Sequence, residues 1–272
     1  MTVYYPSGWA PVPTDRERAF HDLVGKGMVV GAALTLLLCL RMAIPYGRYS
    51  TQRIGGIRFP LLNAKVGWIF MESPNLLMAA WCLWRSDIGC RSSLANLALL
   101  SMFVGHYINR TLIFPLRMRG GKQMPLAVAL AAWIFCHVNS YLQCAHLLLF
   151  RVYPKAWLCD PRFILGAILF LTGFGINYHS DVILMRLRGH GEAGYKIPRG
   201  GLFEYVSGAN FFGECLEWIG YAMAGWSLAG SAFALYTVCN IGPRAVRHHQ
   251  WYIDKFKETY PRSRKAFIPF IW

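Results

Sequence analysis

An all-α bundle of membrane-crossing helices is the fold this sequence predicts, and three observations predict it. Hydrophobic residues make up 55% of the 272, charged residues only 15%, and mean hydropathy is +0.32. Soluble domains carry about 25% charged residues, so the balance is that of a polytopic membrane protein. Apolar runs of crossing length, roughly 17–25 residues, recur along the chain. Lys and Arg gather in alternate connecting segments.

The runs fall at 23–43, 66–84, 94–114, 124–150, 163–185, 205–226 and 229–243. The first holds GMVVGAALTLLLCL without a charge, and the second is apolar except where MES places Glu72. The third carries His106 and Tyr107 near one end, and the fifth ends on NYHSD. The sixth and seventh are joined by WSLAGS and read as a helical hairpin. Segment 44–65, with GGIRFP, is a loop too short for a domain. With no internal repeat, low-complexity tract or heptad seam, residues 1–272 read as one integral membrane domain. The first 20 residues are polar, Pro-containing and partly acidic, unlike a cleavable signal peptide.

Seven spans put the loops 44–65, 115–123 and 186–204 on the side of the C-terminal tail. Those segments hold Arg48, Arg53, Arg58, Lys65, Arg117, Arg119, Lys122, Arg186, Arg188, Lys196 and Arg199, and the tail adds Arg244, Arg247, Lys255, Lys257, Arg262, Arg264 and Lys265. The opposite side has far fewer: Arg16, Arg18, Lys26, Arg85, Arg91, Arg151, Lys155 and Arg162. The positive-inside rule then sets the C-terminus in the cytoplasm and the N-terminus outside. The membrane is the endoplasmic reticulum in a eukaryote and the inner membrane in a bacterium.

The net charge of +15 first sets topology and second favours a phosphorylated ligand; nucleic acid is not an expected partner. The eight cysteines, mostly inside apolar runs and without a C-x-x-C, read as buried thiols. His106, His179, His248 and His249 lack the repeated histidine boxes of membrane di-iron oxygenases, so no metal is expected. There is no dinucleotide fingerprint and no P-loop, so any nucleotide must be held by helix ends, loop cations and side chains of the bundle.

The stretch GYKIPRGGLFEYVSGANFFGECLEWIGYA (194–222) concentrates the functional signal. A basic, glycine-rich turn with Lys196 and Arg199 runs into an apolar helix carrying Asn210 and Glu214 one turn apart. Ionisable residues inside a span are costly and mark function by default. At ~1.5 Å per residue, Glu72, Tyr107, Asn177, Asp181, Asn210 and Glu214 lie about 6–14 Å deep, all in the cytoplasmic half. Asn177 and Asn210 also suit interhelical hydrogen bonding, and Tyr107 an interfacial belt. Glu72 needs a partner from another helix, for which Arg110 is a candidate.

The motifs NYHSDVILMRLR (177–188), GYKIPRGGLFEYVSGANFFGECLEWIGYA (194–222) and RAVRHHQWYIDKFKETYPRSRKAFIPFIW (244–272) together resemble the steroid 5α-reductase family, the 3-oxo-5α-steroid 4-dehydrogenases. HYINRTLIFPLRMRGGKQMP (106–125) and DPRFILG (160–166) extend the resemblance over residues 66–272. It implies seven membrane helices and NADPH-dependent saturation of the Δ4 double bond of a 3-oxo steroid. Carried over motif by motif, Glu72 and Tyr107 are the catalytic pair at the substrate's 3-oxo group. Arg110, Lys122, Asn177, Asp181, Arg188, Tyr195, Lys196, Asn210, Glu214, His248 and Tyr252 line the cofactor, and Trp68, Met71 and Phe135 wall the steroid cavity. The implied partners are a steroid or other lipid substrate and membrane lipids, with no obligate protein partner. A trans-2-enoyl-CoA or polyprenol reductase would use the same hydride logic; a proton-coupled transporter or a membrane methyltransferase is a rival of another class.

Overall fold

The computed structural model describes residues 13–45, 47–187 and 194–272. It is predominantly helical, and a long helix lies on each of the seven apolar runs. Helix α1 (Asp15–Arg41) starts on a capping box in which the Thr14 hydroxyl accepts from the Glu17 amide and the Glu17 carboxylate accepts from the Thr14 amide. A small hairpin, β1 (Arg53–Ile54) and β2 (Ile57–Arg58), then turns at Gly55–Gly56, both at positive φ. Strand β3 (Leu61–Leu62) leads into α2 (Ala64–Arg85).

Helix α2 contains Pro74, whose missing N–H leaves the Phe70 carbonyl without its helical donor. The Ser73 hydroxyl fills that role at 2.9 Å, and Asn75 Nδ2 donates to the Glu72 carbonyl at 3.1 Å. The backbone is thus rebuilt around the residue that carries the carboxylate. A short α3 (Ile88–Ser92) precedes α4 (Leu94–Ile108), which passes through a π turn at Asn109–Ile113 into α5 (Phe114–Arg117). Such turns often mark functional positions, and this one carries Arg110. Strand β4 (Met124–Pro125) pairs with β3, so the loops before α2 and before α6 (Leu126–Ala145) are tied together.

Helix α7 (Pro161–Arg186) is capped by Asp160, whose carboxylate accepts from the Arg162 amide and guanidinium at 2.8–2.9 Å. Helix α8 (Ala209–Gly225) follows, and Trp226–Ser227 turns the chain into α9 (Leu228–Phe256). The sixth apolar run begins before its helix, because Gly201–Glu204 form a tight turn. The last run is shorter than its helix, because α9 continues through the polar residues up to Phe256. Most of WSLAGS is therefore the first turn of α9, with Ser227 as N-cap.

The tightest packing is α7 on α8. Gly166 and Gly173 face Gly220 and Gly213, and a methyl added at any of the four would lie within 3.0 Å of backbone atoms of the other helix. Small residues at a helix crossing let the backbones meet directly, which suits a lipid environment where burying apolar surface gives little drive. The core beside this contact is aromatic: Phe103, Tyr107, Trp218, Tyr221 and Phe233 interlock with ring centroids 4.4–6.3 Å apart.

Among the described residues, four helical stretches are apolar enough by length and composition to cross a membrane: Asp15–Arg41, Leu94–Arg117, Leu126–Phe150 and Pro161–Arg186. Helix α8, at 17 residues, is shorter than these, and α2, α8 and α9 carry polar groups within their apolar runs or beyond them. They carry Glu72, the pair Glu214 and Glu217, and the basic second half of α9.

Candidate active site

A cavity of about 700 Å³ is lined by residues from α1, α2, α4, α6, α7, α8 and α9 and by three connecting loops. Its polar lining falls into two sets, one borne on helices and one mainly on loops.

The helix-borne set centres on Glu72 and Tyr107. Glu72 Oε2 accepts from Asn75 Nδ2 at 3.3 Å and from the Cys136 thiol at 3.5 Å. Tyr107 is 4% exposed, and its hydroxyl oxygen accepts from Asn139 Nδ2 at 3.2 Å. Asn139 is itself held, since its Oδ1 accepts from Gln143 Nε2, which also donates to the Ala229 carbonyl of α9. With a lone pair taken by Asn139, the phenolic hydrogen is free to point at a ligand. Beside Tyr107, His106 Nδ1 lies 2.7 Å from Glu217 Oε1. Glu217 is fully buried, and its Oε2 has no hydrogen-bond partner among the described residues. Trp68, Met71 and Phe135 add apolar walls.

Asp181 joins the two sets. Its Oδ2 accepts from Arg110 Nη1 at 3.1 Å and its Oδ1 from Asn210 Nδ2 at 3.3 Å. The Arg110 guanidinium also lies over the Trp68 and Phe114 rings at 4.4 and 4.6 Å. The expected cation for Glu72 is therefore paired with Asp181 instead. The π turn that carries Arg110 and the last turns of α7 bring these two groups together.

In the loop-borne set, Arg48 is held in an aromatic cage. Its guanidinium lies 4.4 Å from the Trp251 ring, 4.6 Å from Tyr252 and 5.5 Å from Tyr195, and its Nη2 donates to the Tyr252 hydroxyl at 3.2 Å. Arg48 Nη1 is buried without a hydrogen-bond partner among the described residues. Lys122 Nζ donates to the Arg48 carbonyl at 3.1 Å. Lys196, Arg244 and His248 line the same cavity. Phe211 and Tyr49 rings flank His248 at 5.1 and 5.8 Å.

The C-terminal tail straps the loop that supplies Tyr195 and Lys196. Arg264, 2% exposed, donates from Nη1 to the Pro198 carbonyl at 2.9 Å and pairs with Glu204 at 3.5 Å. Glu204 Oε1 accepts from the Gly200 amide at 2.6 Å, and this bond, with Arg264 and Arg199 nearby, holds its carboxyl below the usual range. The tail also pairs with the chain before α8, through Ser207 and Gly208 amides on the Lys265 and Ala266 carbonyls.

Of the site residues expected from sequence, Trp68, Met71, Glu72, Tyr107, Arg110, Lys122, Phe135, Asp181, Tyr195, Lys196, Asn210, Glu214, His248 and Tyr252 line this one cavity. Asn177 does not; it is buried and donates to the Asn210 carbonyl at 3.0 Å, fixing the start of α8. Arg199 is turned to Glu204, 3.9 Å away, and does not join Lys196 in the lining. Arg188 lies outside the described residues. Sequence reasoning missed Arg48, Asn139, Gln143 and Arg264, and left the His106–Glu217 pair unrecognised. The only signals were Asn139 and Gln143 spaced one turn apart in an apolar run, and a second glutamate after Glu214.

Comparison with known proteins places the chain in a family. A family model described as 3-oxo-5-alpha-steroid 4-dehydrogenase matches residues 122–272. The mouse 3-oxo-5-alpha-steroid 4-dehydrogenase 1 is 50% identical over 229 residues, covering 83% of this chain and 87% of the relative. The human protein of the same name is 48% identical over 227 residues, covering 84% and 86%. The rat 3-oxo-5-alpha-steroid 4-dehydrogenase 2 is 45% identical over 241 residues, covering 88% and 92%. Identity at this level over most of both chains, on top of a family match covering more than half of this one, means that the chain belongs to the 3-oxo-5-alpha-steroid 4-dehydrogenase family.

Proposed function

We propose that this protein reduces the Δ4 double bond of a 3-oxo steroid, with NADPH as the reductant, as a single integral membrane domain of seven spans. Its N-terminus then lies outside and its C-terminal tail in the cytoplasm, in the endoplasmic reticulum of a eukaryote or the inner membrane of a bacterium. One observation carries the reading: a carboxyl group and a phenol, Glu72 and Tyr107, share a cavity with a cation-rich set of side chains.

The cation-rich set fits a dinucleotide phosphate. Arg48 brings a buried guanidinium nitrogen without a partner among the described residues, and Lys122, Lys196 and Arg244 line the same space. Arginine and lysine at close range suit phosphate oxygens. Arg48, Lys122 and Lys196 would hold the phosphates, and Asn210 and Asp181 the amide end, while His248 and Tyr252 flank the remainder. When bound, NADPH supplies the hydride that adds to C5 of the enone.

The protein's own groups act on the opposite end of the enone. Tyr107 Oη donates its hydrogen to the C3 oxygen, where negative charge collects during reduction. Asn139, whose Nδ2 donates to the Tyr107 hydroxyl oxygen, keeps the phenol aimed. Glu72 in its protonated form donates a second hydrogen bond to the same oxygen. Trp68, Met71 and Phe135 hold the flat apolar rings. The proton that completes C4 comes from solvent.

The test is purified protein with NADPH and testosterone or progesterone, followed by loss of the enone absorbance. Turnover requiring NADPH is the expected result. No turnover of any 3-oxo-Δ4 steroid, or ion flux and methyl transfer in its place, would overturn the reading.

A further inference from the structure

The buried pair of His106 and Glu217 takes no part in the chemistry above, yet one of its members lines the cavity next to Tyr107. Glu217 sits where α8 is clamped on Gly173 of α7, so its backbone has almost no freedom to move. Its carboxyl is 0% exposed, with one oxygen on His106 Nδ1 and the other without a partner among the described residues. The His106 ring meets the edges of Tyr107 and Trp218 with centroids at 4.9 and 4.5 Å. With Nδ1 committed to Glu217, the nitrogen left to face the cavity is Nε2.

The chemistry of the pair decides what Nε2 offers. A lone carboxylate at this depth, with no cation on it, is strongly disfavoured, so the pair retains a shared proton. If that proton is on Glu217, the carboxyl donates to Nδ1 and the neutral ring keeps its hydrogen on Nε2. If it is on the ring, imidazolium carries hydrogens on both nitrogens. Either way Nε2 is a donor facing the ligand.

We propose that His106 is a further hydrogen-bond donor to the C3 oxygen of the substrate, engaged as that oxygen becomes an enolate, with Glu217 as the positioning residue that keeps the hydrogen on Nε2. This rests on the steroid reductase reading. A ketone oxygen has two lone pairs, which Tyr107 and Glu72 occupy. An enolate oxygen has three, so the third donor acts only as charge develops. Its effect then falls on the rate and not on substrate affinity.

The experiment compares two ligands on the full-length protein with oxidised cofactor, so that no turnover occurs. One is a neutral 3-oxo-Δ4 steroid, and the other a steroid with a 3-carboxylate, whose anionic oxygens stand in for the enolate. In His106→Phe, which keeps an aromatic ring and removes the donor, affinity for the carboxylate is expected to fall about tenfold or more while ketone affinity stays within about twofold. Glu217→Leu is expected to shift the ratio the same way by less, and serves alone if His106→Phe does not fold. Single-turnover reduction by the same variants should slow by up to about 100-fold. A carboxylate-to-ketone affinity ratio equal to that of wild type in the folded variants would falsify the proposal. Wild-type protein that binds neither steroid would instead overturn the reductase reading itself.

Discussion

The two sets of residues around the cavity are held by different means. Glu72, Tyr107, Asn139, His106 and Glu217 stand on α2, α4, α6 and α8, and each makes a hydrogen bond to another helix-borne side chain. Arg48, Lys122, Tyr195 and Lys196 stand on loops, and their geometry depends on cation–aromatic contacts and on the tail strap through Arg264. Packed helices fix positions to fractions of an ångström, as charge stabilisation at a reacting oxygen requires. On the proposed function, the difference makes chemistry and cofactor affinity separable.

The strongest way to break the comparison is to remove the helix contact beneath both sets. Gly173→Leu places a side chain on the Glu217 backbone, where no flexible group can yield. We expect a loss of about 3 kcal/mol or more, read as little folded protein after detergent extraction. A variant that extracts and unfolds like wild type would show that α7 and α8 are not so tightly joined.

A smaller effect should be confined to the loop-borne set. Arg48→Ala removes the guanidinium from its cage and should weaken NADPH binding about tenfold, with the rate at saturating NADPH nearly unchanged. Binding measured by nucleotide fluorescence checks this, and an equal loss of saturated rate would merge the two sets into one.

The smallest effect concerns the strap. Glu204 has its folded pKa depressed by the Gly200 amide and by Arg264 and Arg199. Its contribution to stability is present above the ordinary carboxyl value of about 4.3 and is lost as pH falls through the lower folded value. Because the side chain is 43% exposed, solvent screens the effect. The melting temperature of Glu204→Gln should lie below wild type at pH 7, and the gap should close as the pH is taken below about 4. A gap that widens on acidification would contradict the assignment.

Much of the helix-borne set is legible in the sequence, because a carboxylate or amide in an apolar run has few reasons to be there. Glu72, Asp181, Asn210 and Glu214 stand out on that ground alone. Their partners do not. Arg110 pairs with Asp181 rather than Glu72, and His106 finds Glu217 across 111 positions of sequence, because helix packing and the π turn at Asn109–Ile113 choose the neighbours. Boundaries shifted for local reasons: Gly201–Glu204 fold into a turn where the apolar run had already begun, and α9 runs on through polar residues that water can solvate. Arg48 was legible only as one of many topology-setting charges, since nothing in a linear sequence tells that three rings will close around it.

The division between the two sets is tested most directly by single-turnover reduction of a 3-oxo-Δ4 steroid at saturating NADPH. The rate of enone loss is compared in wild type, Tyr107→Phe and Lys122→Ala. Tyr107→Phe should slow this step by about 10²–10³-fold, and Lys122→Ala should leave it within a few-fold of wild type once NADPH saturates. Equal slowing in the two variants, or a Tyr107→Phe rate equal to wild type, would contradict the account.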